Sequence, residues 1–223
     1  MATSSSPLSA GPTNSTDPDN SAVGRLSDGP AEPSAPRARW SAQDLALVAT
    51  FTALIAVLGM PGSLYLFGSA VPITLQTLGV ALAGAVLGWK RGAAAVLLLL
   101  LLCLIGLPVM SGFRGGPSVF AGPSIGYLVA WPIAAAVIGY LVQWRLPRPS
   151  LAWVLVACVA GSVIIHALGI PGMMLRLNLD LAAAIKADAL FLPGDAIKTV
   201  TAAVIATAVH RANPGLTPGL RRR

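Results

Sequence analysis

Residues 45–89 read LALVATFTALIAVLGMPGSLYLFGSAVPITLQTLGVALAGAVLGW, 45 positions without a charged side chain. A helix needs about 20 apolar residues to cross a bilayer. This run is too long for one crossing and too apolar for a soluble surface, so it folds back on itself. Met60-Pro61-Gly62-Ser63 and Val71-Pro72 mark where. Further uncharged runs cover residues 92–113, 115–144 and 149–175, and the last apolar segment, 189–209, carries only Asp195 and Lys198. Six spans result, at roughly 41–59, 73–89, 92–107, 122–143, 150–168 and 190–210.

Composition agrees. Charged residues make up 10% of the 223 and apolar ones 55%, whereas a soluble domain carries about 25% charged. Mean hydropathy is +0.76. The chain is therefore expected to be an all-α integral membrane protein, with six transmembrane helices and a substrate pocket under its external loops. No alternating ten-residue segments support a membrane barrel. The net charge of +7 is scattered between apolar runs, so it does not indicate nucleic acid. Cys103 and Cys158 lie inside apolar runs and read as small core residues.

Residues 1–40, rich in Ser, Pro, Ala, Thr and Gly, are expected to be a disordered cytoplasmic tail rather than a signal peptide. The membrane domain covers 41–210, and 211–223 form a basic cytoplasmic tail. Eleven of the 15 Lys and Arg fall on the side of the termini, among them Lys90, Arg91, Arg145, Arg148 and Arg211. Arg114, Arg176 and Lys186 fall opposite, and Lys198 lies within a span. The positive-inside rule then puts both termini in the cytoplasm, in a multi-pass protein of the cytoplasmic (inner) membrane. Trp40, Trp89 and Trp144 stand at the same inner boundary as interfacial anchors. Cytoplasmic connections are short (89–91 and 143–150). External ones, at 60–72, 107–121 and 169–189, are longer and rich in Gly and Pro, a pattern of functional loops.

Asp195 and Lys198 are the strongest chemical signal. Three apart, they share a helix face, and ionisable residues at membrane depth are functional candidates by default. Pro193 is placed to open the helix, so Asp195 meets the positive end of the dipole. The carboxylate suits a ligand N–H and the ammonium a ligand oxygen; the plainer alternative is an ion pair that only locks the helix. Arg114, in Gly112-Phe113-Arg114-Gly115-Gly116, can hold a carboxylate, or be a solvated loop charge. Gly122-Pro123-Ser124-Ile125-Gly126 matches the Gly-x-Ser-x-Gly nucleophile pattern, and His166 could be its base in an intramembrane serine hydrolase. The pattern opens a helix rather than following a strand, so Ser124 reads better as a residue near an N-cap, His166 as a hydrogen-bonded pocket or packing histidine, and His210 as a helix-end one near the cytoplasm. Ala49-x-x-x-Ala53 and Gly84-x-x-x-Gly88 offer flat faces for close helix contact. The chain has no P-loop and no metal-ligand spacing.

Four motifs recur together: Val71-Pro72-Ile73-Thr74-Leu75-Gln76-Thr77-Leu78-Gly79-Val80, Gly106-Leu107-Pro108-Val109, Gly122-Pro123-Ser124-Ile125-Gly126-Tyr127-Leu128, and Leu192-Pro193-Gly194-Asp195-Ala196-Ile197-Lys198. In this order the chain resembles the BioY family, the biotin-binding S components of energy-coupling-factor (ECF) transporters, over roughly residues 41–210. The resemblance implies a substrate-capture subunit that is not an enzyme and has no cofactor, with biotin as transported ligand. It implies an energising partner made of a transmembrane coupling subunit and cytoplasmic ATPases. It implies Asp195 and Lys198 at the ureido head, with Gln76 and Tyr127 near the pocket; Ser124 keeps the hydroxyl of the family's Gly-Pro-Thr-Gly-Gly-Tyr. It matches Ala49 and Ala53 to the face that meets the partner. Arg114 for the valerate carboxylate rests on chemistry. Gly161-Ser162 departs from the family's Gly-Asn. Another vitamin of similar size stays open at this point.

Overall fold

The computed structural model describes residues 40–60, 71 and 73–220. The tail expected at 1–40 and most of the first external loop lie outside the described residues, apart from Trp40 and the ends of that loop. Those described form helices: α1 Ala42–Val57, α2 Gln76–Leu87, α3 Trp89–Leu104, a 3-10 helix Pro117–Ala121, α4 Ile125–Trp144, α5 Leu151–Leu177, α6 Leu181–Ala189 and α7 Leu192–Ala212. β structure among the described residues is limited to isolated bridges, such as that between Met110 and Arg114. Helices α4, α5 and α7 are long and apolar enough to cross a membrane, while α1 and α2 are shorter apolar helices.

Local chemistry sets the ends. The Ser41 hydroxyl accepts from Asp44 N at 3.1 Å and the Asp44 carboxylate accepts from Ser41 N at 2.9 Å. This capping box starts α1. Ser150 caps α5 and Asp180 caps α6 by a single bond each, accepting from Trp153 N and Ala183 N. Two expected loops are corrected. Residues 89–91 are the first turn of α3, and only Gly88, at φ 82°, separates α2 from α3. That left-handed backbone is one a glycine adopts without a Cβ penalty. The external connection at 169–189 is also mostly helical. α5 runs through Gly169 and Pro171 to Leu177, Asn178 turns the chain in the left-handed region, and α6 follows. The glycines read as breakers serve contact instead. A Cβ on Gly126 would meet the Leu168 carbonyl and lie 3.0 Å from Gly172 Cα, so α4 and α5 touch backbone to backbone there.

α4 packs on α2, α3 and α5, α7 closes against α2 and α5, α1 lies on α2 and α3, and α6 rests on α5. Small residues fill the centre: Ala83, Ala134, Ala135, Ala202, Ala203 and Ala206 are buried. Bulky ones such as Leu97, Leu101, Val163, Ile197 and Val200 face outward. Interfaces of small residues with large apolar side chains outside are what lipid, rather than water, favours. The expected Gly84 face is used inside the bundle: a Cβ there would sit 2.5 Å from the Ala135 carbonyl. Gln143 ties the end where α2, α3 and α4 meet. Its Oε1 accepts from Trp89 N at 2.9 Å, its Nε2 donates to Pro218 O at 2.9 Å, and its backbone O accepts from Leu220 N at 3.2 Å. Thr217 donates to Val86 O, and His210, in the last turn of α7, is within 2.8 Å of Ala85 O.

Gly126→Val should therefore lower stability by about 1–3 kcal/mol, the usual cost of overpacking. Thermal unfolding in detergent should show it, with Val129→Ala on the exposed face of the same helix melting near the unaltered protein.

Candidate functional site

The site begins where α7 begins. Phe191 ends the turn after α6, Pro193 lies in the first turn of α7, and Asp195 and Lys198 follow on one face. Lys198 Nζ is 2.5 Å from Asp195 Oδ1 and donates to Thr74 O and Thr77 Oγ1, each at 2.9 Å. The Thr77 hydroxyl is 3.4 Å from the same Asp195 oxygen. Three donor positions of the ammonium are thus filled by α7 and the entry to α2. Lys198 is only 9% exposed, and a charge so placed persists because its partners are in place.

A second polar group stands behind the pair. His166 of α5 has Nδ1 2.9 Å from Asp188 Oδ1, on α6, and Nε2 3.3 Å from Asp195 Oδ2. The second contact is within ion-pair reach, yet Nε2 is buried without a hydrogen-bond partner among the described residues. Tyr127 of α4 donates its hydroxyl to the same Asp188 oxygen at 2.7 Å, and its ring meets Phe191 edge-on, centroids 5.9 Å apart. Gly169 is required beneath that ring: any Cβ would overlap it.

Above the pair lies a pocket with about 650 Å³ of space between atoms, counted to its open mouth. Its walls are mostly apolar, including Ile73, Val119, Leu128, Trp131 and Ile165. All six residues expected at the ligand, Asp195, Lys198, Tyr127, Gln76, Arg114 and Ser124, line it. Their contacts differ. Gln76, 2% exposed, donates to Val109 O at 3.1 Å and so pins the loop after α3. Arg114 is exposed and bonds Ser111 O through Nε, held by the turn of Gly112 and Phe113, both at positive φ. Ser124 precedes α4, but its hydroxyl makes no capping bond. A smaller cavity behind the pair is lined by Thr77, Cys158, Ser162 and Asp195, among others, so the departure at Ser162 faces the back of the site. Ala49 and Ala53 lie far from these walls, exposed on α1 while Val48, Thr52 and Ile55 are its buried side.

Asp188, Thr74, Thr77 and Trp131 are not singled out by the sequence, nor are the carboxylate partners of His166. Asp188 was hidden by the loop reading; the Asp180 cap followed by a nine-residue helix was the available signal. His166 stands alone in an uncharged 27-residue run, and an ionisable residue at that depth is a functional candidate by default. The serine hydrolase alternative is corrected: both ring nitrogens of His166 face carboxylates, so neither is turned to Ser124 as a base.

Outward bulky side chains, a small-residue interior and an enclosed polar cluster are the features of a helical membrane protein. A solved structure described as the S-component for biotin from an ECF-type ABC transporter is similar to this one at a TM-score of 0.72 and 31% identity, over 76% of this chain and 91% of that one. The chain belongs to the BioY family, matched over residues 32–215. The biotin transporter BioY of Rhizobium etli is 43% identical over 176 residues, covering 76% of this chain and 94% of its own length. The biotin transporter BioY of Rhodobacter capsulatus is 44% identical over 183 residues, 77% of this chain and 95% of the relative. The family is one of transporter subunits, not enzymes.

Removing one charge of the pair should cost more than removing both. Lys198→Met is expected to lose about 3–5 kcal/mol by stranding Asp195, and Asp195→Asn with Lys198→Met to lose less. Unfolding of the three proteins in the same detergent compares them.

Proposed function

We propose that this protein captures biotin outside the cell and admits it to the cytoplasm as the substrate-specific subunit of an ECF-type transporter. The observation that carries the reading is the Asp195–Lys198 pair facing an apolar pocket. Biotin presents two N–H donors and a carbonyl at its head, an apolar ring and chain, and an anionic tail. Asp195 accepts from a ureido N–H, and Lys198 donates to the ureido oxygen in exchange for one of its present acceptors, Thr74 O or the Thr77 hydroxyl, both contacts charge-assisted in a dry site. The apolar walls take the ring and chain, with Tyr127 presenting its ring, while Gln76 and Ser124 shape the near side. Arg114, at the mouth, meets the carboxylate. Family membership and near full-length relatives named for biotin support this choice over another vitamin.

Helices α1 to α5 and α7 serve as six spans in this reading, with α6 on the outer side. A 16-residue helix such as α1 rises about 24 Å, which local thinning of the bilayer accommodates. Both termini lie in the cytoplasm, with residues 1–40 and 211–223 as tails, and the outward apolar faces meet lipid of the cytoplasmic membrane. The energising partner is a transmembrane coupling subunit with cytoplasmic ATPases, docked on the small-residue face at Ala49 and Ala53. The exposure of both alanines supports that use over an internal seam.

Equilibrium binding to purified protein should show biotin bound in preference to thiamin and riboflavin. Asp195→Asn and Lys198→Ala should each weaken biotin binding by more than about tenfold, the worth of one charge-assisted hydrogen bond. Thiamin or riboflavin binding in place of biotin would reassign the substrate, and unchanged affinity in the variants would return the pair to a structural role. Ala49→Trp and Ala53→Trp should abolish energised uptake in cells while detergent-purified protein still binds biotin. Loss of binding in step with uptake, or unimpaired uptake, would refute the docking assignment.

A further inference from the structure

Asp195 is held firmly at one oxygen and loosely at the other. Oδ1 is engaged by Lys198 and approached by Thr77. Oδ2 faces His166 Nε2 at 3.3 Å. His166 does not line the pocket, whereas Asp195 does. The imidazole therefore stands behind the ligand-facing carboxylate, and its own orientation is fixed from further back. Asp188, 5% exposed, takes His166 Nδ1 and the Tyr127 hydroxyl on a single oxygen. Four elements, α4, α6, α5 and α7, are joined by this line of side chains. A histidine used only to fasten α5 to α6 would need Nδ1 alone. Here the second ring nitrogen is buried, has no hydrogen-bond partner among the described residues, and is turned to the one carboxylate that reaches the pocket.

We infer that His166, oriented by Asp188, is a positioning residue for Asp195: it sets the plane of that carboxylate and so governs how well the site receives a ligand N–H. Locking an acceptor through a group behind it is how outer partners tune inner ones at metal and catalytic sites, and the same geometry applies to a carboxylate acceptor. The inference rests on the biotin reading above. It adds two residues, on α5 and α6, to the determinants of affinity, and neither touches the ligand.

Biotin affinity of the full-length protein in detergent tests it through His166→Ala, His166→Gln, His166→Asn, Asp195→Asn and the His166→Ala/Asp195→Asn double variant. The Gln amide nitrogen replaces Nε2 and reaches Asp195; the Asn amide nitrogen replaces Nδ1 and reaches only Asp188. His166→Ala and His166→Asn should each weaken binding about tenfold, while His166→Gln stays within roughly threefold, if a charge-assisted contact is what is lost. The double variant should bind no more weakly than Asp195→Asn alone, because a residue that acts through Asp195 has nothing to act through once its charge is gone. If His166→Ala fails to fold, the contrast between Gln and Asn decides. Wild-type affinity in His166→Ala, retention in Asn with loss in Gln, or full additivity in the double variant would each overturn the inference while leaving the biotin reading intact. Failure of the unaltered protein to bind biotin would overturn that reading, and this inference with it.

Discussion

An ammonium and a carboxylate buried together in an apolar bundle oblige everything around them to conform. Lys198, at 9% exposure, needs its donors met, and the acceptors that meet them come from the entry to α2 as well as from α7. The start of α2 is thereby drawn to the start of α7, though more than a hundred residues separate them. The pocket lies above this junction, where the apolar walls of Ile73, Val119, Leu128, Trp131 and Ile165 leave the pair as its charged floor. A closed polar cluster of this kind is costly when incomplete, which ties the site's integrity to that of the fold.

Close helix approach makes the junction possible. Gly126 and Gly172 let the α4 and α5 backbones touch, and Gly169 leaves room for the Tyr127 ring. Tyr127 then reaches Asp188 from one side while His166 reaches it from the other. The glycines that look like interruptions along the chain are, across the bundle, the places where two helices share one space. Lipid supplies little hydrophobic drive between helices, so packing of this closeness is the force that remains.

Much of this was legible in the sequence, and the limits follow one physical line. Uncharged runs locate the long helices because span length is a property of the segment itself. Asp195 and Lys198 stand out because charge is rare in such runs, and all six residues expected at the ligand do line the pocket. What escaped depends on partners distant in the chain. Whether Gly169 and Gly172 break a helix or pack one is decided by α4, so α6 and its Asp188 were read as loop. Whether His166 packs or bonds is decided by α6 and α7. Ser124 was expected near a cap and stands at one, but the hydroxyl is not used for capping, a matter of backbone angle that residue type does not specify.

The single-residue link at Gly88 makes the direction of α2 sensitive to what surrounds it. Gly88 is clamped by the Gln143 amide against Trp89 and by Thr217 on Val86. At the other end of α2 is the turn holding Thr74, Gln76 and Thr77. Twelve residues put about 18 Å between the two, so a swing of about 5° at Gly88 displaces the far end by roughly 1.6 Å. A hydrogen bond does not survive that displacement. The placing of the pocket wall therefore depends on packing held along the whole of α2, and the contacts around Gly88, at the far end from the pocket, are part of what fixes it.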